Sequence, residues 1–290
     1  MALDHPSGVR ARMRVRLLTG PARDAAVLRL SAAARRNLLL LDLLDQVGRE
    51  PSASELPAQV LGAFDDGVLC GTAALRPSLV LEAGMDERVL DSLLPYFEAV
   101  ETGLIKSERG VVDLLWRRLE RQGKRALIDR IEHALSLRPD SSRGFEPPAG
   151  VRFRSAEPRD LEALVHAARA SLREEGRPDP FDGDPTSFRR WVRGRLSRAR
   201  VAEVEGRIAF VGYADVRRPD GWLIQGVYTW PDHRRRGIAG AGMLVLAEEA
   251  FAHGAEHVQL AVVSGNVPAL ALYDRLGFEC FDELRTILFC

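Results

Sequence analysis

The sequence predicts an α/β (α+β) protein made of two related folds in tandem, each a mixed central sheet flanked by helices. Three observations carry this. Segments with the period-two pattern of strands alternate with segments of helical periodicity along the chain. A run of turn formers, Arg138-Pro139 through Pro147-Pro148 to Gly150, interrupts all periodicity near the middle. The N-terminal half then repeats, more faintly, the element order of the C-terminal half. The expected division is a domain at residues 1–138, a linker at 139–150 and a second domain at 151–290, a length that suits two cores.

In the first half, Arg14 to Leu18 reads as a strand and Ala22 to Leu44 as helical with a break near Arg36. Gln59 to Phe64 and Val68 to Leu75 form a hairpin around Asp65-Asp66-Gly67. The piece Gly71-Thr72-Ala73-Ala74-Leu75 echoes Gly212-Tyr213-Ala214-Asp215-Val216 of the second half. In the second half the order is a strand at Val151 to Ser155 and helices at Pro158 to Glu174 and Pro185 to Ser197. Strands at Arg200 to Val204 and Ile208 to Val216 turn at Glu205-Gly206, and an apolar strand follows at Trp222 to Trp230. A helix then runs to His253, followed by a strand at Val258 to Val263, a helix carrying Tyr273 and a final strand at Phe281 to Leu288.

Composition excludes several classes. Charges balance, with 41 basic and 41 acidic residues, and there is no basic stripe interleaved with aromatics, so no nucleic-acid partner is expected. Of the basic residues only Lys106 and Lys124 are lysine, so single arginines carry little information. The most apolar run, Leu38 to Leu44, is broken by Asp42 and is too short for a bilayer, and no signal core precedes it; no membrane partner is expected. Three cysteines without a pairing pattern fit a reducing cytoplasm. Histidines, cysteines and carboxylates lack ligand spacing, so no metal is expected.

The chemistry lies at Arg234-Arg235-Arg236-Gly237-Ile238-Ala239-Gly240, between an apolar strand and a helix. The first N–H groups of a helix have no intrahelical partner and converge with the positive end of its dipole, which suits a pyrophosphate. Gly237 and Ala239 allow close backbone approach, and Arg234, Arg235 and Arg236 add positive charge. Downstream stands Asn266-Val267-Pro268-Ala269-Leu270-Ala271-Leu272-Tyr273-Asp274-Arg275-Leu276-Gly277-Phe278.

These two motifs, in this order, resemble those of the GNAT superfamily of N-acetyltransferases: an Arg/Gln-x-x-Gly-x-Gly/Ala loop filled here by Arg234, Gly237 and Ala239, then Asn-x-x-Ala-x-x-x-Tyr-x-x-x-Gly-Phe matched at every position. The whole chain resembles, more loosely, bacterial members with a divergent half ahead of a catalytic one. The resemblance implies acetyl-CoA as co-substrate, with Arg234 to Gly240 on the pyrophosphate and Asn266 on the pantetheine arm. The backbone of Val227, Tyr228 and Thr229 would serve the thioester carbonyl, and Tyr273 would be the acid for the departing thiolate. Many relatives place a glutamate base six positions before the proline closing that strand; here it is Gln225, which cannot accept the proton. The base is unassigned, with Asp215, Glu174, Glu175 and Asp182 as candidates on the acceptor side.

The acceptor pocket implied by the family lies at the acidic segment Glu174 to Asp184, which suits a cationic amine of a small molecule, amino acid or peptide. The expected function is N-acetylation by direct attack in a ternary complex, in a monomer or homodimer. A non-catalytic CoA-binding regulatory module is the alternative. In the first half, Ser107-Glu108-Arg109-Gly110 ahead of a helix at Val111 to Arg121 is the expected counterpart of the anion loop, and Glu108 there would repel a pyrophosphate.

Overall fold

The computed structural model describes residues 13–50, 56–144 and 147–290. Residues 145 and 146 of the expected linker, and the N-terminal residues 1–12 read for a signal core, lie outside them. The elements are β1 (Arg14–Leu17), α1 (Gly20–Ser31), α2 (Ala34–Gln46), β2 (Gln59–Asp65), β3 (Val68–Arg76), β4 (Val80–Leu81), α3 (Glu87–Glu98), β5 (Gly103–Glu108), α4 (Arg109–Arg121) and β6 (Ala126–Leu137). After the linker come β7 (Val151–Ser155), α5 (Leu161–Glu174), α6 (Pro185–Gly194), β8 (Ala199–Val204), β9 (Arg207–Arg218), β10 (Gly221–Thr229), α7 (Ile238–Ala252), β11 (Val258–Val263), α8 (Val267–Leu276) and β12 (Glu279–Phe289).

The strand order is β1-β2-β3-β4 in one sheet and β5-β12-β6-β11-β10-β9-β8-β7 in the other. A parallel bridge between Leu79 and Ile105 joins the two at β4 and β5. The two halves have exchanged their last strands. β6, from the first half, lies between β11 and β12 of the second, while β12 lies between β5 and β6 of the first. β12 pairs antiparallel with β6 from Glu279↔Ser136 to Phe289↔Ala126 and with β5 from Leu284↔Glu108 to Phe289↔Gly103. Neither half therefore completes its sheet from its own residues.

The repeat is physical. In each half a strand runs into a helix and then into a parallel neighbour: β4-α3-β5 and β10-α7-β11. The echoed glycines mark the same contact. A Cβ at Gly71 would lie 2.5 Å from Val89 of α3, and one at Gly212 would lie 2.8 Å from Leu246 of α7. Each glycine lets the helix settle onto the hairpin, and either substitution would push it off a close-packed surface. This corrects the counterpart expected for the anion loop: α3 at Glu87–Glu98, not the helix at Val111 to Arg121, corresponds to α7. The helix at 87–98 is masked in sequence by Pro95 inside it.

Two apolar layers sandwich the sheet in the second half. α7 and α8 cover one face through Met243, Leu246, Ala250, Tyr273 and Leu276. α5 and α6 cover the other through Leu164, Ala167, Phe188 and Val192. α2 of the first half joins them, with Leu38 packed on Val216 and Leu223.

Candidate active site

β10 creates the site by leaving its neighbour. It pairs with β11 only at Trp222↔Val258 and Leu223↔Gln259, so its edge from Ile224 to Thr229 has no strand partner. A bulge assists: the register with β9 slips between Gln225 and Tyr228, where Gly226 takes φ +58° and Val227 is set apart from the ladder. An extra residue in one strand bends it and increases its twist. The outcome is a wedge between β10 and β11 whose β10 side is a backbone edge without a strand partner.

The loop after β10 leads into the expected anion-binding helix start, α7. Gly237 is the N-cap of α7 in the left-handed region, φ +78°, and no side chain caps the helix. Arg235 also has positive φ, 62°, which a non-glycine residue adopts at a cost and which turns the backbone N–H groups of the loop. No acidic residue stands in the first turn of α7. Ile238 and Gly240 are buried, while Gly237 and Ala239 are partly open, so backbone rather than side chains forms this surface. Arg235 and Arg236 are exposed, and Arg236 approaches His233 Nδ1 at 3.3 Å.

Arg234 points elsewhere. Its Nη2 donates to both carboxylate oxygens of Glu174 at 2.8 Å, and its Nε donates to the Thr229 carbonyl at 3.0 Å. Its guanidinium lies 5.5 Å from the Tyr228 ring centre. The Tyr228 hydroxyl donates to the same carboxylate at 3.2 Å. Burial, and then the charge of Glu174, push the Tyr228 phenol up. Trp230 packs edge-on to Tyr228, with ring centres 5.3 Å apart, and His166 of α5 stacks near Trp230.

Tyr273 lies on α8 in the core layer beneath α7, 6% exposed and edge-on to Phe278. Burial alone raises its pKa well above the usual phenol range, so it keeps its proton at neutral pH. Its hydroxyl has no hydrogen-bond partner among the described residues. Asn266 is the N-cap of that helix, its Oδ1 accepting from Ala269 N at 3.3 Å.

The sequence-predicted residues thus fall into two groups. Val227 to Thr229 lie on β10, Arg234 to Gly240 on the loop after it and the first turn of α7, and Asn266 and Tyr273 at the start and near the end of α8. Of the acceptor-side carboxylates, Glu174 stands beside Tyr228 and Arg234. Asp215 accepts from Nε and Nη2 of Arg195, with Arg195 stacked on Tyr213, so it is committed to an ion pair. Glu175 bonds Arg130 of β6 at 3.0 Å, and Asp182 lies exposed in the loop before α6. Gln225 pairs in register with Tyr213 immediately before the bulge. The bulge itself was signalled by Gly226 inside an otherwise apolar strand, a sign the strand reading passes over.

β6 brings a second charged group to the same sheet. Glu132 is 2% exposed; burial pushes its carboxyl up, but Lys106 and Arg130 outweigh this and hold it below the usual range. Among the described residues no helix is long and apolar enough to cross a membrane, and no group of metal-ligating side chains assembles.

Known proteins share this architecture. The profile of the acetyltransferase (GNAT) family matches residues 161–278. Among solved structures, a Drosophila protein superposes with a TM-score of 0.69 at 15% identity, covering 95% of this chain and 98% of its own. A GCN5-related N-acetyltransferase from Sphaerobacter thermophilus superposes with a TM-score of 0.58 at 19% identity, covering 96% of this chain and 95% of its own. A tandem GNAT protein from the clavulanic acid biosynthesis pathway gives 0.56 at 13% identity, covering 95% of this chain and 98% of its own. Residues 161–278 thus match the acetyltransferase (GNAT) family, and the whole length of the chain folds as a tandem pair of that architecture.

Proposed function

We propose that the protein is an acetyl-CoA-dependent N-acetyltransferase that acetylates a primary amine of a small molecule, amino acid or peptide by direct attack in a ternary complex. One observation carries the reading: the unpaired edge of β10 is followed, through one short loop, by the uncapped N-terminus of α7. The N–H groups of Ile238, Ala239 and Gly240, with Gly237 behind them, bind the pyrophosphate, and Arg235 and Arg236 add charge at the rim. The backbone of Val227, Tyr228 and Thr229 holds the pantetheine arm and orients the thioester carbonyl. Asn266 fixes the start of α8, and Tyr273 gives its proton to the thiolate as the C–S bond breaks.

The amine nitrogen must lose its proton before it attacks, and Gln225 does not take it. The acceptor arrives as free amine or releases its proton to water. The Gln225 position also favours the second reading, a CoA-binding regulatory module without turnover. Thiol release on mixing the full-length protein with acetyl-CoA and a panel of primary amines separates the two. Release above the uncatalysed rate with at least one amine supports the enzyme. CoA binding without release across the panel supports the module. We further propose a cytoplasmic protein, monomeric or homodimeric, with no nucleic-acid or membrane partner.

A further inference from the structure

Arg234 sits in the loop that the proposed function assigns to pyrophosphate, yet its guanidinium is held on the acceptor side. There it fills a small cation site: the Glu174 carboxylate at 2.8 Å, the Thr229 carbonyl at 3.0 Å and the face of Tyr228 at 5.5 Å. The Tyr228 hydroxyl, donating to Glu174, orients the carboxylate. A site made of carboxylate, carbonyl and aromatic face selects a positive charge of any origin. Arg234 and Glu174 are 42% and 48% exposed, so their pairing is worth little in water and is cheaply exchanged.

We propose that Glu174 is the residue that recognises the acceptor, as an ammonium ion, and that it becomes available when the cofactor's pyrophosphate draws Arg234 away. This rests on the proposed function and adds to it the acceptor's charge and an order of binding. In the resting protein Arg234 is the surrogate for the acceptor cation. Occupation of the α7 N-terminus by a dianion gives Arg234 a stronger partner, and Glu174 is left with the Tyr228 hydroxyl on it and Trp230 against that ring. A cationic amine then takes the vacated place, its carbon chain against the Tyr228 and Trp230 rings. Because each ligand removes a cost that the other would meet, the two bind with positive coupling, and the coupling is reciprocal. The role is positioning and selection. Glu174 is not required to be the proton acceptor: the bound ammonium releases its proton to water before the nitrogen attacks.

Calorimetric titration of the full-length protein with CoA tests this, with phenethylammonium as the cation probe and phenethyl alcohol as its uncharged counterpart. In wild type, phenethylammonium should lower the Kd for CoA by about threefold or more, and the alcohol should not. Glu174→Gln should bind CoA about two- to fivefold more tightly than wild type, because Arg234 no longer has a competing partner. The same variant should lose the response to phenethylammonium. Glu175→Gln, whose carboxylate is bonded to Arg130 instead, should behave as wild type in both measurements. Unchanged CoA affinity in Glu174→Gln, an undiminished ammonium effect in that variant, or an equal effect of the alcohol in wild type would each overturn the exchange. If wild type binds no CoA, the proposed function falls and this inference with it; if wild type binds CoA and Glu174→Gln is indistinguishable from it, only the exchange falls.

Discussion

The β4–α3 and β10–α7 junctions share a topology and have opposite chemistry. At the start of α7 the N-cap is Gly237, no side chain caps the helix and its first turn carries no acid. At the start of α3 the N-cap is Asp86, which accepts from Arg88 N at 2.8 Å, and Glu87 occupies the first turn. The adjoining wedges differ in the same sense. The edge of β10 is open beyond Leu223, whereas around β4 the backbone is already served by side chains. Leu81 N donates to Ser107 Oγ at 2.7 Å, Ala83 N to Asn37 Oδ1 at 2.9 Å and Gly84 N to a Glu108 carboxylate oxygen. A cofactor groove needs free backbone N–H groups and no competing carboxylate. In the first half those N–H groups are bonded and carboxylates stand at the helix start, so it keeps the fold without the arrangement proposed to hold a cofactor in the second.

The sharpest way to break this comparison is to give α7 the acid that α3 has. Gly237→Glu places a strained side chain at φ +78° and a negative charge at the proposed phosphate position. CoA affinity should fall by at least about a hundredfold, equivalent to about 2.7 kcal/mol, while circular dichroism stays native. Calorimetry on the wild type should give one CoA per full-length chain; a stoichiometry near two would mean that the α3 junction also binds. The full chain is the proper object, because separated halves would each lose the strand the other lends.

Tyr273→Phe asks whether the buried phenol of the second half is chemistry or packing. Removal of a general acid partly replaceable by water should lower turnover by roughly ten- to a thousandfold, with CoA affinity unchanged. If the hydroxyl serves only the core, turnover stays near native and the melting temperature alone moves. The raised pKa of Tyr273 gives a further expectation. Its proton is held throughout the neutral and mildly alkaline range, so the turnover profile should show no loss below pH 9 that disappears in Tyr273→Phe.

On the other side of the comparison, Asn37→Ala with Ser107→Ala should unfold the staples of the first wedge without touching the second. Leu81 is buried and Ala83 half-buried, so the Leu81 N–H would lose its partner away from water and the Ala83 N–H partly so. Each loss costs about 1–3 kcal/mol. Chemical denaturation should report it, and CoA affinity should not change. A gain of a second CoA site in the double variant would show that the staples alone, rather than Asp86 and Glu87, keep the cofactor out.

Much of this was legible in the sequence, for reasons that differ by element. β7, α5, β8 and β11 follow local periodicity, and Asp65-Asp66-Gly67 and Glu205-Gly206 carry the turn chemistry of their hairpins. The uncapped α7 start was legible because Gly237 and the arginines lie within a few residues of each other. Strand exchange was not, since the place of β6 between β11 and β12 is a choice among non-local partners that no window of sequence contains. The filled wedge of the first half was equally hidden: Asn37, Ser107 and Glu108 meet β4 from distant positions, and nothing in their spacing announces it. The Arg234–Glu174 pair spans sixty residues for the same reason.

The smallest expected effect concerns the junction through which the first half supports the second. Asp42 of α2 is largely buried near Arg198 and Arg218, and its carboxylate accepts from Gln46 at 2.7 Å. Burial outweighs the two arginines and pushes the carboxyl from 3.8 up to about 6. Between those two values the folded protein holds a proton on Asp42 that the unfolded chain has released. Stability therefore falls as pH rises through this window and carries a constant penalty above it. Asp42→Asn keeps the shape and an amide oxygen for Gln46 but never ionises. It should stabilise the protein more at pH 8 than at pH 4.5, by a difference of about 1–2 kcal/mol, or a few degrees in melting temperature. Denaturant titrations of both proteins at both values test it. An equal effect at the two pH values would mean that Arg198 and Arg218 neutralise the carboxylate fully, and that α2 is anchored to the second half by charge as much as by Leu38 on Val216 and Leu223.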